Sequence, residues 1–286
     1  MTFGVARNPV ATNVPSSLLT AAARRNIPVR VIDIASLGAG IRADGGVSVA
    51  DEQGAVEVSS VSPYLLFGYP AAIHALRVLS WSARLPNPVD SALLADDKAA
   101  TAERLARAGV PQVATEICPF DLVQATRIAA GVGYPLVLKR THGAQGRWVR
   151  RADDLDSLAA AFAELEADGP GALIIQPEIV ESRGHTVRAV ITGGKLLAAT
   201  ERTAGPDEWR SNVAGGATQS PTELTSEELG LVESAAGAMC LSHAGIDLVR
   251  TTRGPRVLEV NGCPDFTSMQ PYFEADLAGA VLAASL

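Results

Sequence analysis

The stretch RVLEVNGCPD, residues 256–265, restricts the folds open to this 286-residue chain more than any other. Val257, Leu258 and Val260 read as a buried strand, yet Glu259 and Asn261 interrupt the apolar run. Side chains two apart on a strand share a face, so a carboxylate and an amide are aimed together at one side. A carboxylate withdrawn from water needs a cation, a metal or strong hydrogen bonds. The segment GIDLVR, joined through the turn TTRGP, is predicted as the antiparallel partner strand, and it contributes Asp247. Three hard oxygen donors, two of them anionic, then converge from adjacent strands. Such a set suits Mg²⁺ with room left for phosphates and water. Capping of the hairpin ends would use the same residue types.

The cations sharpen the choice. The chain has 21 arginines but only three lysines, Lys98, Lys139 and Lys195, so each Lys invites a question about its task. Lysine offers a compact point charge suited to a phosphate oxygen. Lys139 ends the predicted strand PLVLKR, which feeds the glycine loop THGAQGR, whose N–H groups could close over phosphates; a plain turn would look the same. Lys98 opens a helix after Asp96 and Asp97, near that helix's positive end. The segment ERTAGPDEWRSN adds Arg202 and Arg210. A nucleoside triphosphate carries about four negative charges, which two Lys, two Arg and two divalent cations would balance.

Composition removes other classes. Net charge is −7 with 47% hydrophobic residues, and pI is about 5.2, so nonspecific attraction to nucleic acid or anionic membrane is not expected. No apolar run approaches the roughly 18 residues of a membrane span, and MTFGVARNPV is not expected to be a signal peptide. Cys118, Cys240 and Cys263 are odd in number and far apart, without metal spacing, which points to a reducing cytoplasm. The scattered His74, His142, His185 and His243 are expected in structural roles.

Three units are predicted along the chain. Residues 1–90 read as an α/β unit, with a helix capped at Ser16 or Ser17, the strand IPVRVID, and prolines marking its end. Residues 91–177 read as an α+β unit with an antiparallel sheet: a helix from Lys98 to Ala108, a second over DLVQATRIAAGVGYP, strands PLVLKR, WVRR and ALIIQ, and a capped helix over DDLDSLAAAFAELEAD. Residues 178–286 open with the hairpin TVRAVIT–Gly193–Gly194–KLLAATER. A polar loop over 203–225, a helix over 226–242, the acidic hairpin and a last helix YFEADLAGAVLAAS complete it.

In order and spacing, DDK, YPLVLKRTHGAQGRWV, EWRSNVAGGA, GIDLV and LEVNGCP resemble the ATP-grasp carboxylate–amine ligases, in the branch of the RimK-type α-L-glutamate ligases. The chain is also similar to LysX-type lysine-biosynthesis ligases and tetrahydromethanopterin glutamate ligases. The resemblance covers about 200 residues, to the C-terminus. It implies an α/β and α+β ATP-grasp fold with an N-terminal Rossmann-like pre-ATP-grasp domain. It also implies ATP and two Mg²⁺ ions, with Mn²⁺ as a substitute. Lys98 and Lys139 would contact ATP phosphates, and Gly143 to Gly146 would cover them. Gln176, Glu178 and Ile179 would lie at the adenine hinge and Thr186 at the ribose. Asp247, Glu259 and Asn261 would hold the metal. Arg210 would stabilise the acyl phosphate and the tetrahedral intermediate, with Arg202 and Asn212 beside the substrate carboxylate.

Two departures stand out. The family's Gln-Glu hinge is Gln176-Pro177 here, and Pro177 has no N–H to offer. A common ribose-binding acid is replaced by Thr186. The implied reaction forms an acyl phosphate from a substrate carboxylate and ATP, then an amide by attack of an amine. Small-molecule carboxylate and amine substrates are expected, with glutamate or a similar amino acid added to a cofactor precursor such as a tetrahydromethanopterin-type pterin. The alternatives are a protein tail or acidic carrier protein as acceptor, or a nucleotide-binding protein without turnover. A homo-oligomer, dimer or tetramer, is expected.

Overall fold

The structure, a computed structural model, describes residues 2–8, 13–64, 68–143, 146–206 and 208–286. The chain starts with β1 (Phe3–Arg7), α1 (Asn13–Arg24), β2 (Val29–Asp33), β3 (Gly38–Ile41), β4 (Val47–Asp51), β5 (Gly54–Ala55), β6 (Ser60–Val61), α2 (Pro70–Leu79) and α3 (Val89–Ala95). Strands β2, β1 and β6 pair in parallel, in that order. Strands β3, β4 and β5 form a separate antiparallel meander that the sequence pattern did not reveal. Helix α1 begins before the expected serine caps and contains Pro15, which is tolerated because first-turn N–H groups have no intrahelical partner. Residue 90, read as the end of the first unit, lies inside α3. Pro88 is that helix's N-cap rather than part of a linker.

Next come α4 (Lys98–Arg107), β7 (Glu116–Pro119), α5 (Leu122–Val132), β8 (Leu136–Arg140), β9 (Val149–Ala152), α6 (Leu155–Glu166) and β10 (Ala172–Pro177). The sheet order is β7-β10-β8-β9, with every pairing antiparallel, as the pattern predicts. Asp97 caps α4 by accepting from the N–H groups of Ala99 and Ala100, which fixes Lys98 at the first helical position. Although α4 adjoins this sheet in sequence, its Leu105 packs with Val110 into the core of the next sheet.

That sheet is built from β11 (His185–Thr192), β12 (Lys195–Thr203), β13 (Thr218–Pro221), β14 (Ala244–Thr251) and β15 (Gly254–Asn261), with helices α7 (Ser226–Ala238) and α8 (Leu277–Ser285). Its order is β13-β12-β11-β14-β15. Gly193 and Gly194, at φ of +57° and +74°, make the predicted tight turn, since both positions need the left-handed region. Three expectations are corrected here. The 203–225 loop contains the edge strand β13. Helix α7 stops at Ala238, shortly before Cys240 enters the left-handed region at φ 53°. Helix α8 starts only at Leu277, capped by Asp276.

The α7 face of Leu231, Val232 and Ala235 packs in one core with Ile246, Leu248, Val257 and Val260 of β14 and β15. On the sheet's other side, Phe3, Val5 and Leu18 share a core with Val190, Ala198, Phe266 and Val281. Buried Asn87 adds a polar tie. Its Nδ2 donates to the carbonyls of His243 (2.7 Å) and Gly262 (2.9 Å), and its Oδ1 accepts from the N–H groups of Ser242 and His243 (3.0 Å each). Among the described residues no helix is long and apolar enough to cross a membrane.

Candidate active site

The acidic hairpin forms as its sequence suggests. Asp247 lies opposite Glu259 and Gly245 opposite Asn261. A bulge follows, because Leu248 pairs with Val257 and Leu258 is the extra residue. Asp247 is buried, and its carboxylate is gripped at both oxygens by Arg188, with Nη2 2.5 Å from Oδ2 and Nε on Oδ1. Burial pulls the Asp247 carboxyl upward, but Arg188, Arg202 and Lys139 together hold it below the ordinary range. Glu259 is paired with Lys98, its Oε1 3.2 Å from Nζ. Asn261 donates from Nδ2 to the Gly245 carbonyl at 3.4 Å, one pair further along the hairpin. Arg188 was not singled out from the sequence. Its only signal there is a charge inside the apolar alternation TVRAVIT, and the residue it faces depends on β11–β14 register, Arg188 against Asp247.

Lys98 and Lys139 approach the same acids from across the cleft. Lys98 Nζ also donates to the Gly143 carbonyl at 2.6 Å, tying the glycine loop to the helix start. Burial pushes the Lys139 ammonium down to about 8, with Lys98 adding to the effect and Glu259 and Asp247 opposing it. Gly143 has φ +136°, and a Cβ there would stand 2.4 Å from the Trp148 ring. Gly146 has φ +71°, and its Cβ would stand 2.8 Å from Asn212 Oδ1. Glycine is required at both positions. Ala144 and Gln145, between them, lie outside the described residues.

At the predicted hinge, Gln176 is buried and its Nε2 donates to Thr115 Oγ1 at 2.9 Å. The Glu178 N–H donates to the Pro135 carbonyl at 3.0 Å. Its carboxylate accepts from Arg151 Nε at 2.8 Å and Arg183 Nε at 2.6 Å. These two arginines outweigh the effect of burial and keep the carboxyl below its ordinary range. The Ile179 carbonyl accepts from the Ser182 N–H at 3.0 Å. Among the described residues, the Glu178 carbonyl and the Ile179 N–H make no backbone hydrogen bond. Thr186 Oγ1 lies 2.6 Å from Ser211 Oγ.

Arg202 is 8% exposed, and burial followed by the neighbouring Arg188 pushes its guanidinium down to about 10. Its nearest counter-charge is Asp247 Oδ1 at 3.7 Å, already in the Arg188 fork. A buried guanidinium so weakly compensated invites an anion. Arg210 pairs with Glu208 at 2.8 Å and reaches the Gly146 carbonyl at 3.2 Å. The solvent-open cleft is lined by Lys98, Lys139, Arg202, Arg210, Asp247 and Glu259 among others. It therefore joins strong cations to two carboxylates, a setting for polyanion binding with metal-assisted charge compensation.

Comparison with known proteins agrees with this geometry. Residues 95–285 match the RimK-like ATP-grasp domain. A probable alpha-L-glutamate ligase of Legionella pneumophila is 35% identical over 191 residues, covering 65% of this chain and 61% of that protein. One of Cellvibrio japonicus is 34% identical over 192 residues, covering 65% and 62%. The chain thus spans about three-fifths of the length of the curated relatives it matches. Among solved structures, the RimK domain protein ATP-grasp of Sphaerobacter thermophilus superposes over 100% of both chains at TM-score 0.74 with 20% identity. The D-cycloserine synthetase DcsG does so over 99% of both, also at 0.74 and 20%. The fold is ATP-grasp, and the chain belongs to the RimK-like ATP-grasp family.

Proposed function

We propose that the protein is an ATP-dependent carboxylate–amine ligase. The observation that carries this reading is the convergence of Lys98 and Lys139 on Asp247 and Glu259 within one cleft. The donor set fits Mg²⁺ in kind: Asp247 and Glu259 are paired across the hairpin and both line the cleft, and Asn261, another oxygen donor, is one pair along. Among the described residues no group of three His, Cys, Asp or Glu is placed to hold a metal; in this reading Asn261 and phosphate or water oxygens would serve beside the two carboxylates. The metal (Mg²⁺, with Mn²⁺ as a substitute) supplies charge compensation at the triphosphate when bound. A solved relative, PsnB, is described in complex with Mg and ADP, which supports the pairing.

Lys98 and Lys139 bind phosphate oxygens, for which each exchanges its present surroundings. Gln176, the Glu178 carbonyl and the Ile179 N–H read the base, while Thr186 accepts or donates at the ribose. The substrate carboxylate attacks the γ-phosphorus and ADP leaves; the amine then attacks the acyl carbon, loses its proton and expels phosphate. Arg202, with unmet demand for an anion, orients the acid with Asn212, and Arg210 faces the transferred group. Glycines 143 and 146 let the backbone come close enough to exclude water.

The acid or amine added is glutamate or a similar amino acid, in line with the probable alpha-L-glutamate ligases it resembles. The acceptor is a small molecule, a cofactor precursor such as a tetrahydromethanopterin-type pterin, because a chain at −7 repels acidic tails and carriers. The enzyme works in the cytoplasm as a homo-oligomer, its three cysteines free thiols. Residues 1–90, 91–177 and 178–286 serve as pre-ATP-grasp, central and C-terminal units, bridged by α3 and α4. The test is a metabolite-pool incubation with Mg²⁺ and ATP, read by mass spectrometry for a new amide formed in step with ADP and phosphate. Nucleotide binding with no acid- and amine-dependent ADP release would leave a non-catalytic binding protein instead.

A further inference from the structure

Arg210 sits where two distant segments meet over the cleft, and Glu208 fixes how it points. Glu208 Oε1 accepts from Arg210 Nε at 3.0 Å and from the main-chain N–H groups of Trp209 (2.9 Å) and Arg210 (3.0 Å). Its Oε2 accepts from Arg210 Nη2 at 2.8 Å. One carboxylate thus closes a local turn and one edge of the guanidinium fork together. These bonds, that from the Arg210 side chain foremost, hold the Glu208 carboxyl down to about 2.

The remaining nitrogen, Nη1, points to the other segment. It donates to the Gly146 carbonyl at 3.2 Å and approaches the Val149 carbonyl at 3.5 Å. A second contact joins the same segments, because Gly146 leaves room for Asn212 Oδ1 where any Cβ would stand 2.8 Å away. A planar guanidinium held along one edge can present Nη1 in only one direction. Released from Glu208, it would lose that direction and the Gly146 contact with it.

We propose that Glu208 is a positioning residue: by fixing the Arg210 guanidinium it couples residues 208–212 to the 146–149 turn, so that a ligand ordering one segment orders the other. The coupling gains its catalytic meaning from the ligase reading above, on which it rests. A nucleotide held beside Gly146 then prepares the Arg210 side of the cleft before the acid is activated, and the reverse holds equally, since such coupling is reciprocal.

Amide hydrogen exchange on the full chain, first without ligand, tests it. Glu208→Gln should speed exchange at 208–212 and also, by about tenfold, at 146–149. Arg210→Ala should do the same at 146–149, and the double variant should exchange there no faster than Arg210→Ala alone. Wild-type exchange at 146–149 in Glu208→Gln, or an undiminished extra effect in the double variant, overturns the coupling. With Mg²⁺ and AMPPNP, the wild type should gain protection in both segments and Glu208→Gln only at 146–149. In turnover, Glu208→Gln should lower kcat at least about tenfold with KM for ATP within about twofold. If AMPPNP protects neither segment of the wild type, the nucleotide reading of the cleft fails, whereas the ligand-free comparison judges Glu208 by itself.

Discussion

The two walls of the cleft treat charge in opposite ways. On the five-stranded sheet the acids already have counter-ions, Asp247 in the Arg188 fork and Glu259 against Lys98. On the four-stranded sheet, Lys139 makes no ion pair among the described residues, and burial drives its ammonium toward neutrality. A ligand must exchange partners at the acids of the first wall, but it supplies a missing one at Lys139, as at Arg202 beside those acids. Prepairing keeps the Asp247–Arg188 part of this wall folded while it waits, because either member alone would be buried and uncompensated. A half-buried cation without an ion pair instead keeps an unmet demand for an anion.

The largest effect should come from breaking the fork. Asp247→Ala leaves Arg188 buried without its partner and should cost about 3–5 kcal/mol of stability, read as a fall of roughly 10 °C in Tm. Asp247→Leu combined with Arg188→Met should recover most of that loss. A Tm unchanged in Asp247→Ala would erase the contrast between the walls.

Glu259→Gln sharpens it. The Lys98–Glu259 pair is partly exposed, so stability should change by less than about 1 kcal/mol. Turnover should nonetheless drop about 100-fold or more, because the metal anchor proposed above loses its charge. Near-normal Mg²⁺-dependent turnover in this variant would remove Glu259 from the metal set.

The smallest effect concerns the second wall. Lys139 is charged below about 8, and a bound polyanion favours the charged form and raises that value. Nucleotide binding between pH 8 and 10 should therefore take up a proton, and affinity should fall by about threefold to tenfold as pH rises through that range. Calorimetry at pH 9 in two buffers of different ionisation enthalpy measures the uptake directly. Lys139→Arg should flatten the dependence. Zero proton uptake at pH 9 would mean that Lys139 does not meet the phosphates.

What the sequence disclosed divides along the same line as local and distant order. The β14–β15 hairpin and the pairing of Asp247 with Glu259 were legible, because alternation and a short turn fix that register within fifteen residues or so. The hold of Arg188 on Asp247 was not, since it joins residues 59 apart through a pairing no local pattern states. Strands β7 and β13 escaped notice because each is four residues long and lies at a sheet edge, where few side chains are buried. Pro86 and Pro88 suggested a boundary, but a proline before a helix is as often its beginning. At the hinge, Pro177 was visible as a missing donor, while the engagement of Glu178 by Arg151 and Arg183 required the fold.

Asn87 carries a last consequence. It lies upstream of residue 95, where the family match begins, yet its one amide saturates main-chain groups of residues 242, 243 and 262, the last adjoining Asn261. A chain trimmed to the shared region would leave those groups starved beside the strand that bears both Glu259 and Asn261. The opening ninety-odd residues are no passenger: through one amide they brace the end of that strand, although the family match begins only after them.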